Sequence, residues 1–316
     1  MKEEITEVDY GEMLFGEYFR KWTDMYKKGT IRDVTMKKYT MAAQWIDKLM
    51  PDLKVKDINR NTYQVLINKY GETHERQTVM DFHHIIKSSV MDAVDEEIIK
   101  RDPTRKVVIK GKKPRDKKIK YLNRNEFEKL LQTLELGDEI NWDWFILLTA
   151  KTGLRFSEGL ALQKKDFVFR SQTLIIDKTW NYKEGGGFAP TKNQSSVRKI
   201  KLDWKTCIQF EQLLNGSALS ENDLVFIKDK NKKIYNSTLN ERLERVCKKA
   251  GIQIITMHGL RHTHASILLY SGVSIASVAK RLGHSNMSTT QKVYLHVISE
   301  LENKDNNKVM SAMCEF

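Results

Sequence analysis

A chain of 316 residues exceeds one ordinary core, so two domains are expected; 40% hydrophobic content is enough to fill both and excludes a disordered chain. Lysine and arginine number 54 against 41 aspartates and glutamates, a formal net charge of +13 that suits a polyanionic partner, most often nucleic acid. Cys207, Cys247 and Cys314 stand far apart with no CxxC pair, against a disulfide framework and against a cysteine zinc site. The opening MKEEITEVDY has no apolar stretch of the signal-peptide kind, and no run approaches the ~18 apolar residues of a membrane span. A reducing, cytoplasmic setting with no membrane partner is the expectation.

Residues 1–9 read as a tail and residues 10–105 as a bundle of about four helices. FGEYFRKWTDMYKK sets Phe15, Phe19, Trp22 and Tyr26 at helical spacing. TMKKYTMAAQWIDKLM does the same with Met36, Tyr39, Ala43, Ile46 and Leu49, and Pro51 stops it. NRNTYQVLINKYGE and TVMDFHHIIKSSVMDAVDE repeat the pattern. Between Lys100 and Lys120 stand eleven Lys or Arg and two Asp, broken by Pro103, Gly111 and Pro114, with no helical period. Residues 106–120 read as an extended inter-domain linker. Most charge runs are simply solvated; joining two domains of a basic protein, this one is read as chain lying along phosphates. Its contacts would be Lys110, Lys112, Lys113, Arg115, Lys117, Lys118 and Lys120.

The second domain is expected over residues 121–297. Asn123 is placed to cap RNEFEKLLQTLEL, with Glu126 completing a capping box. NWDWFILLTAKTG reads as a buried helix closed by Gly153. QTLIIDKTWNY and SVRKIKLD are β-branched and read as strands, with a loop over 183–196 between them. STLNERLERVCKKAG is a helix stopped at Gly251. Three short helices follow: 258–271 ending at Gly272, 274–282 ending at Gly283, and one from about Ser288 that carries Tyr294. The fold class is mainly α: a helical bundle, then a mixed, mostly helical domain with a small antiparallel sheet. Residues 298–316 form a tail.

Residues 258–264, HGLRHTH, crowd three imidazoles and a guanidinium onto the start of one helix. His258 and His262 have a zinc-chelating spacing, but a third ligand is missing nearby and Arg261 lies between them, so a metal is not expected. His264 fits a satisfied buried side chain better than a ligand. A phosphate site needs more members, and the chain supplies them in order. TGLRFSEG places Arg155 past a glycine turn with Glu158 one helical turn on. APTKNQSSVRKI sets Lys192 between the strands, and RLGHSNMSTTQKVYLHV offers His284 after a helix-ending glycine and Tyr294 ten residues later.

The order Arg, Lys, His-x-x-Arg, His, Tyr resembles the catalytic set of the tyrosine recombinase, or phage integrase, family. The strong part of the likeness covers residues 150–297; the bundle and linker resemble the family's SAM-like core-binding domain more loosely. TGLRFSEGLAL, HGLRHTHAS and LGHSNMSTTQKVYLHV are most similar to integrases of phages and integrative conjugative elements of Gram-positive bacteria. The resemblance implies integration or excision of a mobile element, by DNA cleavage and rejoining through a covalent 3′-phosphotyrosine and a Holliday junction. It implies four protomers on double-stranded attachment sites, without ATP, metal or other cofactor. It also suggests a C-terminal tail that docks on a neighbouring protomer. Host DNA-bending proteins and an excisionase are further partners in the family, neither required nor excluded by these residues.

Phosphoryl transfer is mostly positioning and electrostatic stabilisation. Arg155 and Arg261 offer planar, permanently charged forks to two non-bridging oxygens. His258 and His284 can donate hydrogen bonds or move protons near neutral pH, and His258 is the expected base. Tyr294 is the expected nucleophile, Lys192 the general acid for the departing 5′-oxygen, and Glu158 the group that orients Arg155. The N-terminal N–H groups of the HGLRHTH helix are expected to assist with the phosphate. Related integrases often carry an N-terminal arm-binding domain; here fewer than a dozen residues precede the bundle, so the module has been removed or the enzyme is a simpler recombinase. Rival readings are a type IB topoisomerase, a non-catalytic DNA-binding regulator on the same fold and, more remotely, a metal-dependent nuclease.

Overall fold

Aromatic stripes on short helices build the first core. The computed structural model describes residues 9–113, 121–182, 185–191, 193–229 and 233–293, and the chain divides into two units, Met1–Lys117 and Lys118–Phe316. In the first unit, α1 (Phe15–Tyr26), α2 (Asp33–Leu49), α3 (Arg60–Gly71) and α4 (Arg76–Asp95) surround one apolar cluster. Phe15, Phe19 and Trp22 are buried as their spacing requires, and Phe19 stacks on both Trp22 and Tyr39 at 6.1 Å. Tyr26, placed on the same stripe by spacing, is exposed at the helix end and only leans on Trp22. Asn59 caps α3 in a capping box with Thr62.

From Val107 to Lys113 the basic segment after α4 runs outside helices and strands and is laid against this first unit. Val107 and Ile109 turn inward onto the core while Lys106, Val108, Lys110, Lys112 and Lys113 are exposed. The Gln64 amide grips Val108 in both directions, accepting its N–H and donating to its carbonyl, each at 2.9 Å. Lys112 N–H donates to the His74 carbonyl at 2.8 Å. At Gly111 the segment passes so close to α4 that a Cβ would stand 2.5 Å from the Arg76 backbone nitrogen. Arg115, Lys117, Lys118 and Lys120 lie outside the described residues.

The second unit is arranged around α6 (Trp142–Thr152), mostly apolar and buried along nearly its whole length. It follows α5 (Arg124–Thr133), whose Asn123–Glu126 capping box forms as the sequence indicates. Next come α7 (Phe156–Leu160), β1 (Phe167–Val168), β2 (Thr173–Ile176), β3 (Lys178–Trp180), β4 (Phe188–Pro190) and β5 (Arg198–Lys201). Then follow α8 (Trp204–Asn215), α9 (Asn236–Lys249), α10 (Met257–Tyr270), α11 (Ile275–Leu282) and α12 (Met287–Val293). The strands form two antiparallel sheets, β1-β2-β5 and β3-β4. The stretch read as one strand, QTLIIDKTWNY, therefore divides at Asp177: Ile176 pairs with Arg198 while Lys178 pairs with Pro190. The stretch read as loop, 183–196, contributes β4.

Helix α10 packs along α6, and α9 is tied to α6 by charge. Arg242 on α9 makes a bidentate pair with buried Asp143, at 2.6 and 2.7 Å. Among the described residues no helix is long and apolar enough to cross a membrane.

Replacing Gly111 by valine should pry the basic segment from the α3–α4 junction. Overpacking of this kind costs about 1–3 kcal/mol. Denaturant unfolding should show that loss, and limited proteolysis should find new cleavage within residues 105–113.

Candidate active site

Gly153 ends α6 in a left-handed conformation, and two residues later Arg155 caps α7. Glu158 folds back over that turn. Its Oε2 accepts the Arg155 N–H at 3.0 Å and its Oε1 accepts Arg155 Nη1 at 2.7 Å, so the one-turn ion pair is present. Arg198, from β5, adds a second cation: its Nη2 donates to Glu158 Oε2 at 2.8 Å. Glu158 is 1% exposed. Burial alone would raise its pKa, but the Arg198 hydrogen bond and charge, with the Arg155 charge behind them, outweigh it and hold the carboxyl below its usual range. Removing one partner from a buried pair typically costs about 3–5 kcal/mol, so Glu158 anchors both cations.

The C-terminus of α11 collects the guanidiniums. Arg198 Nε donates to the Arg281 carbonyl at 2.7 Å, Arg261 Nη2 to the Leu282 carbonyl at 2.7 Å, and Arg155 Nη2 to the Gly283 carbonyl at 3.0 Å. Three consecutive carbonyls thus take three arginines from β5, α10 and the head of α7. Arg261 also reaches the Gly153 carbonyl with Nη1 at 2.7 Å. The preceding carbonyls, of Ala279 and Lys280, accept the N–H groups of His284 and Gly283. This turn needs glycine: Gly283 has φ 67°, and a Cβ there would meet Arg198 Nη1 and Ser196 Cα at 3.1 Å. Glu158 meets two of these guanidiniums, and the gathering of three arginines at one turn makes the kind of cationic surface that suits an anion.

The histidines divide by burial. His264 is enclosed: its Nδ1 meets the Ala150 carbonyl at 3.1 Å, and its Nε2 accepts from Arg281 Nε at 2.9 Å. Burial, then the Arg281 charge, lowers its pKa to about 3, so it is a neutral core side chain as expected. His284 is half-buried, with Nδ1 2.8 Å from the Thr290 hydroxyl. Burial first, then the charges of Arg261, Arg155, Arg198 and His262, lower its pKa to about 4. At neutral pH it is a hydrogen-bonding group and a poor base. His258 is exposed, and its ring meets that of His262 edge-to-face at 4.6 Å.

The structure brings Arg155, Glu158, Arg261 and His284 together at the end of α11. Lys192 and Tyr294 lie outside the described residues; Tyr294 directly follows Val293, the last residue of α12. Lys110, Lys112 and Lys113 lie on the first unit. Two of the N-terminal amides of α10 have partners within the protein: Met257 N–H donates to Asn240 Oδ1 and Gly259 N–H to the Thr256 hydroxyl. On α10, Leu260 and Leu269 are buried and Ile267 and Leu268 only partly so. Sequence reasoning missed Arg198, Arg281 and Thr290. The available signal for Arg198 was strand alternation, which puts it on the inward face with Ile200. Among the described residues no three His, Cys, Asp or Glu side chains form a metal-sized cluster.

Known proteins share this outline. The family model "Phage integrase family" matches residues 120–300, more than half of the chain, and "Phage integrase, N-terminal SAM-like domain" matches residues 14–71. The ICEBs1 integrase of Bacillus subtilis is 28% identical over 222 residues, 66% of this chain and 59% of that protein. An integrase of a Staphylococcus phage is 30% identical over 173 residues, 51% of this chain and 49% of that one. A XerC-like tyrosine recombinase of Caldanaerobacter subterraneus is 26% identical over 321 residues, 92% of this chain and 81% of that one. The chain thus spans less than two thirds of the Bacillus and phage relatives. Among solved structures, the Tn1549 transposon integrase in complex with a circular intermediate DNA has TM-score 0.72 at 18% identity, covering 92% of this chain and 99% of that one. A λ integrase dimer bound to a core site has TM-score 0.62 at 16% identity, covering 87% and 93%. The fold is the one these proteins share: a helical SAM-like unit and a mostly helical unit with small antiparallel sheets.

His264 and His284 stay neutral in the folded chain and take up protons once unfolded, below about pH 6.5. Their contribution to stability is complete above that pH and is lost as pH falls toward the folded values of about 3 and 4. The enclosed His264 sets a slope of up to about 1.4 kcal/mol per pH unit, and His284 adds a smaller one of the same sign. Urea unfolding at pH 7.5 and pH 5 should therefore show the second unit weaker in acid; equal midpoints would contradict these environments.

Proposed function

The chain belongs to the phage integrase family, and on that premise we propose that it is a site-specific DNA recombinase that cuts and rejoins strands through a covalent 3′-phosphotyrosine. The observation that carries this reading is the seating of Arg155 and Arg261 on the adjacent carbonyls of Gly283 and Leu282, with His284 beside them. A phosphodiester gathers charge on two non-bridging oxygens as it is attacked, and two guanidiniums fixed side by side before DNA arrives need no rearrangement to meet it. The neutral His284 adds a hydrogen bond to the same group.

In the proposed step the Tyr294 phenol oxygen bonds to phosphorus as the bond to the 5′-oxygen breaks. The phenol proton goes to a base, assigned to the exposed His258, and Lys192 supplies the proton that the 5′-oxygen takes away. The phosphotyrosine keeps the energy of the diester, so rejoining by a second 5′-hydroxyl reverses the step without ATP. The proposed substrate is duplex DNA at an attachment site, and exchange of two strands per duplex calls for four protomers and a Holliday junction. The exposed Lys110, Lys112 and Lys113 support phosphate contacts along the docked basic segment, and affinity should fall steeply with salt.

The test is to incubate the full chain with genomic DNA of its host element, trap covalent protein–DNA complexes and sequence the joined ends. The wild-type chain should give adducts at one pair of junctions, and Tyr294→Phe should bind DNA equally but give none. Adducts that survive Tyr294→Phe would remove the nucleophile; relaxation of plasmids lacking any junction would favour a topoisomerase.

A further inference from the structure

Thr290 is fully buried on α12, and its hydroxyl has a distinctive partner. Thr40, Thr133, Thr152 and Thr263 sit inside or at the end of helices and return their hydroxyls to the carbonyl four residues earlier. Thr290 instead turns its hydroxyl to His284 Nδ1, at 2.8 Å, across the turn between α11 and α12. Among the described residues that nitrogen is the hydroxyl's one hydrogen-bond partner.

The direction of this bond follows from satisfaction. A hydroxyl carries one proton to donate, and a neutral imidazole carries one protonated and one bare nitrogen. If Nδ1 held the proton, the buried Thr290 O–H would lose its acceptor, at the cost of an unsatisfied buried donor. With Thr290 donating, Nδ1 is bare and Nε2 is protonated. The groups around the ring are Arg155 at the head of α7, Arg198 on β5, and Arg261 and His262 on α10. These disfavour a charged imidazolium but leave a neutral N–H available to an anion.

We propose that Thr290 is a positioning residue that holds His284 as the Nε2–H tautomer, aimed as a hydrogen-bond donor to a phosphoryl oxygen. The inference rests on the recombinase reading for its anion, and on Thr290 and His284 alone for the tautomer. It gives α12 a second task. The helix that leads to Tyr294 is fastened by the same hydroxyl to the group beside the arginines, so the order of α12 and the state of His284 are coupled.

Two measurements on the full chain test it, with Thr290→Val as the isosteric loss and Thr290→Ser as the conservative control. Nitrogen NMR of 15N-histidine-labelled protein, assigned with His284→Gln, should show His284 as the Nε2–H tautomer in wild type and Thr290→Ser, and as a mixture in Thr290→Val. On nicked duplexes that trap the covalent adduct, Thr290→Val should cleave at least about tenfold more slowly, the value of one well-placed hydrogen bond, with DNA affinity and melting temperature retained. Thr290→Ser should restore the rate. An unchanged tautomer in Thr290→Val overturns the inference whatever the DNA chemistry, as does wild-type cleavage by that variant. Wild-type protein that shows the tautomer but forms no adduct overturns the recombinase reading and leaves the tautomer lock standing.

Discussion

The carbonyl end of α11 holds the candidate site together. A helix of eight residues ends with carbonyls that have no partner inside the helix, and burial makes each one costly to leave bare. Here all are taken. The Gly283 turn supplies two N–H groups, and Arg198, Arg261 and Arg155 supply the rest. The negative end of the helix dipole favours the same cations, by about 0.3–1 kcal/mol each at a surface and up to about 2 kcal/mol when partly buried. A single requirement, capping one helix, therefore fixes the positions of three guanidiniums that come from three distant parts of the chain.

That arrangement carries a tension which the proposed function turns to use. Three guanidiniums near one another repel, and Glu158 pairs directly with two of them, Arg155 and Arg198. The fold tolerates this because carbonyl dipoles share the work and the pair with Arg198 is almost wholly enclosed. Burial first, and these guanidinium charges after it, keep His284 neutral. A phosphate entering the site would relieve the repulsion, so part of the stability given up in the free protein returns as binding. Arg281 extends the network: it donates to His264 and to the Lys201 and Lys151 carbonyls, tying α11 to α10, β5 and α6.

Much of this was legible in the sequence wherever the chemistry is local. The Asn123 cap with Glu126, the helix ends at Gly153 and Gly283, and the Arg155–Glu158 pair each lie within a turn of chain, and each forms. What was not legible depends on distant partners. Nothing near Arg198 in sequence announces Glu158, forty residues away, or the Arg281 carbonyl, eighty-three away. The strand break at Asp177 was hidden because β-branched residues flank it on both sides; the partners β5 and β4 divide it. Helix α8 was passed over although Asp203 caps it and Cys207, Phe210 and Leu214 follow at helical spacing. At the head of α10 a local rule favours an anion, and the distant partner it leaves out is Asn240, from α9, which takes the Met257 N–H.

The central claim is that capping α11 and clamping a phosphate are done by the same arginines at once. A crystal structure of the full chain trapped on its DNA tests this directly. Arg155 and Arg261 should both lie within hydrogen-bond distance of one backbone phosphate while still donating to the carbonyls of Gly283 and Leu282. A phosphate bound away from this turn, or arginines that must leave those carbonyls to reach it, would contradict the claim.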